Sequence, residues 1–172
     1  RCQYPELGNF INHSYDLADI KENEKIGSLA IRLRRRGGLW KREGKIPTEV
    51  VKKFLLHRER AAFDAEYDIF NRSPAESRFR FGVELNLTLP GTETKRHSLF
   101  VPDGKGRRIS HLDQGGVIPE ADHLGLRDEE TGFTVSLETA PVCEFWHFPL
   151  ETVSQSERGL EKTVQGNVLL CS

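Results

Sequence analysis

The stretch Arg78-Phe79-Arg80-Phe81-Gly82-Val83-Glu84-Leu85-Asn86-Leu87-Thr88-Leu89 places a large apolar side chain at every second position. In an extended strand successive side chains point to opposite faces of a sheet. One face therefore takes Phe79, Phe81, Val83, Leu85, Leu87 and Leu89, and the other takes Arg80, Gly82, Glu84, Asn86 and Thr88. A helix would scatter the same residues around its circumference. Just upstream, Ala61–Phe70 repeats the pattern, with Phe63, Ala65, Tyr67 and Ile69 set between Asp64, Glu66 and Asp68. The intervening Asn71-Arg72-Ser73-Pro74-Ala75-Glu76-Ser77 is rich in turn formers, so the two runs read as an antiparallel hairpin. Pairing Phe70 with Arg78 sets Asp68 against Arg80, a favourable contact of ~0.2–1 kcal/mol. It also sets Asp64 against Glu84, two carboxylates side by side, which demands a different register or a separating cation.

Working outward, Leu29–Leu33, Val50–Leu56, Phe133–Leu137, Val142–Phe148 and Lys162–Leu170 read as further strands. Gly37-Gly38, Gly44, Pro47, Pro90-Gly91, Pro102-Asp103-Gly104, Gly115-Gly116 and Pro119 read as the punctuation between them. Thr48–Arg60 is open to a second reading, a helix started by Pro47-Thr48, because Val50-Val51 and Phe54-Leu55-Leu56 also fit a helical stripe. Residues 102–132 are polar and glycine-rich and predict a long loop excursion with at most one short strand. Short strands separated by turn signals imply an all-β, antiparallel sandwich forming a single domain over residues 1–172.

Composition narrows the function classes. The 172 residues are 30% charged, yet the net charge is only −1. So balanced a surface gives no long-range pull toward nucleic acid or an anionic membrane. No apolar run approaches the ~20 residues of a membrane helix, and residues 1–15 do not read as a secretory leader. The chain opens on Arg1 and contains no methionine, which leads us to expect a fragment of a longer multidomain polypeptide. Cys2, Cys143 and Cys171 are an odd number without metal-ligand spacing, whereas disulfide scaffolds show dense, even counts, so a reducing, cytoplasmic setting is expected. The Asn-X-Ser/Thr triplets at Asn12, Asn71 and Asn86 are then chance matches.

The segment Glu144–Gly166 offers a different chemistry. Phe145, Trp146 and Phe148 provide flat apolar surface, while Thr152, Ser154, Gln155, Ser156 and Glu157 provide donors and acceptors. Sugars have apolar ring faces and hydroxyl edges, so this mixture suits a carbohydrate. A corner between two strands, whose hydroxyls satisfy backbone groups, accounts for the same residues.

The run from Trp146 to Gly166, with Pro149, Glu151-Thr152, Ser154-Gln155-Ser156-Glu157, Gly159, Glu161 and Gln165-Gly166, resembles the C-terminal signature of family 57 glycoside hydrolases of the α-amylase and 4-α-glucanotransferase type. Phe81-Gly82-Val83-Glu84-Leu85-Asn86-Leu87 and Arg35-Arg36-Gly37-Gly38 resemble the same domain in order and spacing, and the similarity runs from about Ala18 to Leu170. The resemblance implies a mutarotase-like supersandwich, complete or partial, that follows a catalytic barrel. In that family the catalytic carboxylates lie in the barrel. Nothing here matches the barrel motifs, so no catalytic residue is carried over. The implied role is that of a non-catalytic accessory domain, without a cofactor. It would pack on the N-terminal catalytic domain of the same polypeptide and contact an α-glucan or oligosaccharide.

On residue types and this resemblance, Trp146, His147, Glu151, Ser154, Gln155 and Glu157 are the candidates for sugar or domain contact, with Glu84 and Asn86 next. Other chemistries remain open. Asp64 with Glu84, or Glu151 with Glu157, could form a glycosidase carboxyl pair. A stand-alone mutarotase-like sugar enzyme could assemble His111, His123 and Glu84 for acid and base work. His111, Asp113, Asp122 and His123 offer oxygen and nitrogen ligands for a metal. The basic row Arg32, Arg34 and Arg36 lies opposite Leu29, Ile31 and Leu33, and is expected to be solvated or paired with Asp64, Glu66 and Asp68.

Overall fold

A computed structural model of the chain describes residues 5–90, 96–101, 107–112, 114–156 and 159–172. Two compact units result, the first ending at Arg78 and the second beginning at Phe79. The first holds strands β1 (Asp16–Asn23), β2 (Ser28–Lys41), β3 (Gly44–His57) and β4 (Phe63–Asn71). The second holds β5 (Val83–Leu87), β6 (His97–Val101), β7 (Arg107–His111), β8 (Gly116–Asp128), β9 (Thr134–Ser156) and β10 (Gly159–Cys171). Every pairing is antiparallel, in a four-stranded sheet ordered β1-β2-β3-β4 and a six-stranded sheet ordered β5-β10-β9-β8-β6-β7. This is the all-β, two-sheet class expected of a β-sandwich sequence.

The first sheet is a meander. Lys41 pairs with Gly44 across a two-residue turn, and Gly44 takes a φ of 123° that only glycine adopts without strain. The ambiguous segment Thr48–Arg60 is strand as far as His57, and Val50 and Val51, pointing to opposite faces, are both buried. Gly37-Gly38, read from sequence as a turn, lies inside β2 instead. Residues 8–10 run close against that strand, and a Cβ on Gly37 would meet the Asn9 Oδ1 at 2.3 Å. The approach is held by Asn9 N donating to Gly38 O, Gly38 N donating to Asn9 Oδ1 and Arg35 Nε donating to Asn9 O.

Charge organises one face of this sheet. Directly opposed residues share a face, so Asp19, Arg32, Lys53 and Glu66 form one row across all four strands. The Lys53 ammonium lies 2.8 Å from both Glu66 and Asp68, and these two hydrogen bonds raise its pKa. Asp64 is engaged by His57 at 2.8 Å and by Arg60 at 3.7 Å. The acidic row of β4 thus pairs with β3 and its loop, because β3 lies between it and β2. Of the two alternatives for Arg32, Arg34 and Arg36, the exposed one holds. Arg36 instead reaches Glu49 at 3.1 Å, with Arg72 at 3.2 Å on the same carboxylate oxygen.

Two further expectations are corrected. The alternating runs around Phe63 and Leu89 are strands, but they do not pair with each other: β4 pairs with β3, and β5 pairs with β10. The turn at Asn71–Ala75 does form, with Asn71 Oδ1 accepting from Ser73 N and Oγ, yet the chain leaves it for the second sheet. The predicted loop of residues 102–132 contains β7 and the 13-residue β8. Bulges between Ile118 and His123 break the alternation there, which hid the strand from a period-two reading.

The second unit has its own core of Leu89, Leu99, Leu112, Leu124, Leu126, Phe145 and Leu169. Phe145 is fully buried, so Phe145→Ala is expected to cost about 3–5 kcal/mol in urea-induced unfolding. Glu49 supplies a second check. Burial alone would raise its pKa, but the hydrogen bond from Arg36 and the charge of Arg72 prevail, and the carboxyl titrates below its ordinary value of 4.5. Its contribution to stability is therefore present above about pH 4.5 and is lost as pH falls through the lowered pKa. In acid melts, Glu49→Gln is expected to flatten the pH dependence below that point.

Candidate functional site

The register of the second sheet decides which candidate residues meet. Glu84 opposes Leu170, Leu170 opposes Trp146, and Trp146 opposes Val117, giving one row across β5, β10, β9 and β8. The adjacent row is Asn86, Val168 and Phe148. Glu84, Asn86 and Trp146 therefore share a sheet face, with Glu84 and Trp146 two strands or roughly 10 Å apart at the backbone. Asn86 Nδ2 donates to Glu84 Oε1 at 3.2 Å. Trp146 is half-buried and held in place: its Nε1 donates to Glu144 Oε1 at 2.7 Å. Arg80 donates to the same oxygen at 2.7 Å, and its guanidinium lies 5.9 Å from the indole centroid. The sequence reading missed Arg80 and Glu144. Their signal was the period-two rule itself, which puts Glu144 on the same face as Trp146.

His147 points the other way. It is 3% exposed, on the core face with Phe145 and Leu169, and it donates to the Gln114 backbone. Gly116 opposes it, and a Cβ there would meet the imidazole at 2.5 Å. His147 is thus a packed side chain and does not join Trp146. Glu151, Ser154 and Gln155 lie farther along β9 where the strand is exposed, and Glu151 pairs with Lys162 at 2.9 Å. Glu157 lies outside the described residues.

Of the alternative carboxyl pairs, Glu151 with Glu157 has its second member outside the described residues. Asp64 and Glu84 fall in different units, and Asp64 is already engaged by His57 and Arg60. His111 is on β7 and Glu84 on β5, the two edge strands of the six-stranded sheet, while His123 is on β8 facing Glu138 at 3.7 Å. Asp113 lies outside the described residues, and among those described no group of three His, Cys, Asp or Glu side chains could hold a metal.

Comparison with known proteins follows the same line. A profile of the family described as "Alpha-amylase/4-alpha-glucanotransferase, C-terminal" matches residues 1–172. The chain belongs to this family. It is 29% identical over 164 residues to a 4-alpha-glucanotransferase of Thermococcus litoralis, covering 95% of the chain and 20% of that protein. It is also 29% identical over 167 residues to an alpha-amylase of Pyrococcus horikoshii, covering 95% of the chain and 20% of that enzyme. The crystal structure of the Thermococcus litoralis 4-alpha-glucanotransferase superposes with a TM-score of 0.64 at 28% identity, over 98% of the chain and 21% of that structure. The chain thus spans about a fifth of the length of the relatives it matches. The segment Trp146–Gly166, which carries the resemblance in sequence, falls in the second half of β9 and the first half of β10.

One titration checks the placement of His147. Burial lowers its pKa, against the opposing hydrogen bond to Gln114. Folded His147 therefore stays neutral below pH 6.5 while the unfolded chain takes up a proton, so stability falls as pH drops below that value. In an NMR titration the His147 Cε1–H resonance is expected to show a midpoint below 6.5. An ordinary or raised midpoint would contradict its burial.

Proposed function

We propose that the chain is the non-catalytic C-terminal accessory domain of an α-glucan-acting hydrolase or 4-α-glucanotransferase. In this reading its two units form one working domain that packs on the N-terminal catalytic domain of the same polypeptide and contacts carbohydrate. The match along the full chain to a family named for the C-terminal portion of such enzymes carries the accessory role. The catalytic carboxylates then belong to the four-fifths of the relatives that this chain does not cover.

The carbohydrate contact rests on the Trp146 face. An indole pinned by Glu144 and Arg80 loses little side-chain freedom when a sugar ring stacks on it, which is the cost that commonly weakens such contacts. Glu84 and Asn86, exposed on the same face, offer the acceptors and donors that hydroxyl edges require. Leu170, between Glu84 and Trp146, and Val168, between Asn86 and Phe148, are buried on this face. Little area is therefore left for a ligand, so the affinity of the isolated chain is weak and its role is to guide a chain held elsewhere. The cytoplasmic setting is part of the proposal, supported by Cys143 and Cys171 both being free thiols.

Titration of the chain with maltooligosaccharides, followed by NMR, tests this reading. Shifts are expected at the Trp146 indole and the Glu84 and Asn86 amides, without any product. Trp146→Ala should weaken binding about tenfold, equivalent to ~1.4 kcal/mol. Turnover by the chain alone, abolished by changing His111 or Glu84, would instead establish the stand-alone enzyme.

A further inference from the structure

The β9–β10 hairpin outruns the sheet that supports it. The last pair between β8 and β9 is Gly116 with His147, and the last between β5 and β10 is Leu87 with Asn167. Beyond those points β9 and β10 continue to pair with each other, as far as Ser156 and Gly159. Among the described residues, Glu151–Ser156 and Gly159–Val164 have no third strand. A two-stranded ribbon is marginal in water, because a hairpin needs a further strand or a packed surface to cover an apolar side.

This ribbon has such a side. Opposed residues share a face, so Glu151 with Val164, Val153 with Lys162 and Gln155 with Leu160 lie on one side. Thr152 with Thr163 and Ser154 with Glu161 lie on the other. Val153 is the diagonal neighbour of both Val164 and Leu160, and the three make a continuous apolar zigzag. Val153 is 58% exposed and Leu160 77%. The opposite side is built of hydroxyls and a carboxylate, with Gln165 donating to the Thr152 hydroxyl at 3.0 Å. Among the described residues the apolar strip is left exposed, with Lys162 and Gln155 beside it.

We infer that the Val153–Leu160–Val164 face of this ribbon docks on the catalytic domain of the same polypeptide. The inference rests on the accessory-domain reading and names the surface that makes the contact. Area argues for a tethered occupant. Three side chains of a narrow ribbon offer far less than the ~800 Å² per partner that a free-standing interface buries, so a second copy of the chain would not be held. A covalently linked domain meets the ribbon at millimolar effective concentration, where a small apolar contact suffices. The Glu151–Lys162 ion pair beside the strip is internally neutralised, so the docked surface needs no net charge opposite it.

Hydrogen exchange on this chain alone and on the full-length enzyme that carries it tests the inference. Amides of residues 151–156 and 159–164 are expected to exchange at least about tenfold more slowly in the full-length enzyme. Val153→Asp with Leu160→Asp should abolish that difference while leaving the melting temperature of the isolated chain unchanged. Slowing elsewhere in the chain but not in the ribbon overturns this inference and leaves the accessory-domain reading standing. No slowing anywhere overturns the packing on a catalytic domain, and this inference with it. Protection of the ribbon in the isolated chain that grows with protein concentration, or that appears only with maltoheptaose, shows a second copy or a glucan as the occupant and also overturns it.

Discussion

The antiparallel register between β9 and β10 is the constraint on which the second unit depends. It runs without interruption from Cys171 opposite Phe145 to Gly166 opposite Leu150, and after one bulge continues to the ribbon tip. β5 is hydrogen-bonded to the outer edge of β10, and β8 to the outer edge of β9. Because side chains alternate, this one register fixes two chemistries at once. Phe145 and His147 enter the core with Leu169, while Glu144, Trp146 and Phe148 take the opposite face beside Glu84 and Asn86. A slip by one residue would exchange the two sets, burying Glu144 and exposing Phe145, at a cost no local adjustment could offset.

The two units solve the stability problem differently. The second has a continuous apolar core, with Leu99, Leu124, Leu126 and Phe145 almost wholly removed from water. In the first, one face of the sheet is a lattice of charge, in which Lys53 joins two carboxylates and the buried Glu49 joins two arginines. The exposed pairs among them contribute little individually. Their value lies in specifying which strands are neighbours: Lys53 fits between Glu66 and Asp68 only when β3 lies beside β4.

Much of this was legible from residue order, and the exceptions have definite causes. Period-two alternation from Phe63 to Leu89 identified strands correctly, since alternation is a property of one strand and its environment. It could not name their partners, which depend on distant segments: Val83–Leu87 pairs with Asn167–Cys171, 80 to 88 residues away. The opposed carboxylates Asp64 and Glu84 were already a warning against the local hairpin. Gly37-Gly38 looked like a turn because glycine is most often placed for a bend, whereas here it is placed for the close passage of Asn9. β8 escaped notice because its bulges interrupt the alternation that reveals other strands. At the candidate site, Trp146 and His147 were grouped as sequence neighbours, although adjacent residues of a strand always face apart. Applying the alternation rule there would have separated them and brought in Glu144.

Hα–Hα nuclear Overhauser effects across β9 and β10 test the central claim most directly. Glu144 and Ser172 exchange both backbone hydrogen bonds, so the pairs one step inward are of the non-hydrogen-bonded kind, in which the Hα atoms face each other closely. The account requires strong Hα–Hα effects between Phe145 and Cys171 and between His147 and Leu169. Their replacement by effects linking Trp146 to Leu169 or Cys171 would contradict it, because Trp146 would then lie in the core and the shared face with Glu84 and Asn86 would not exist.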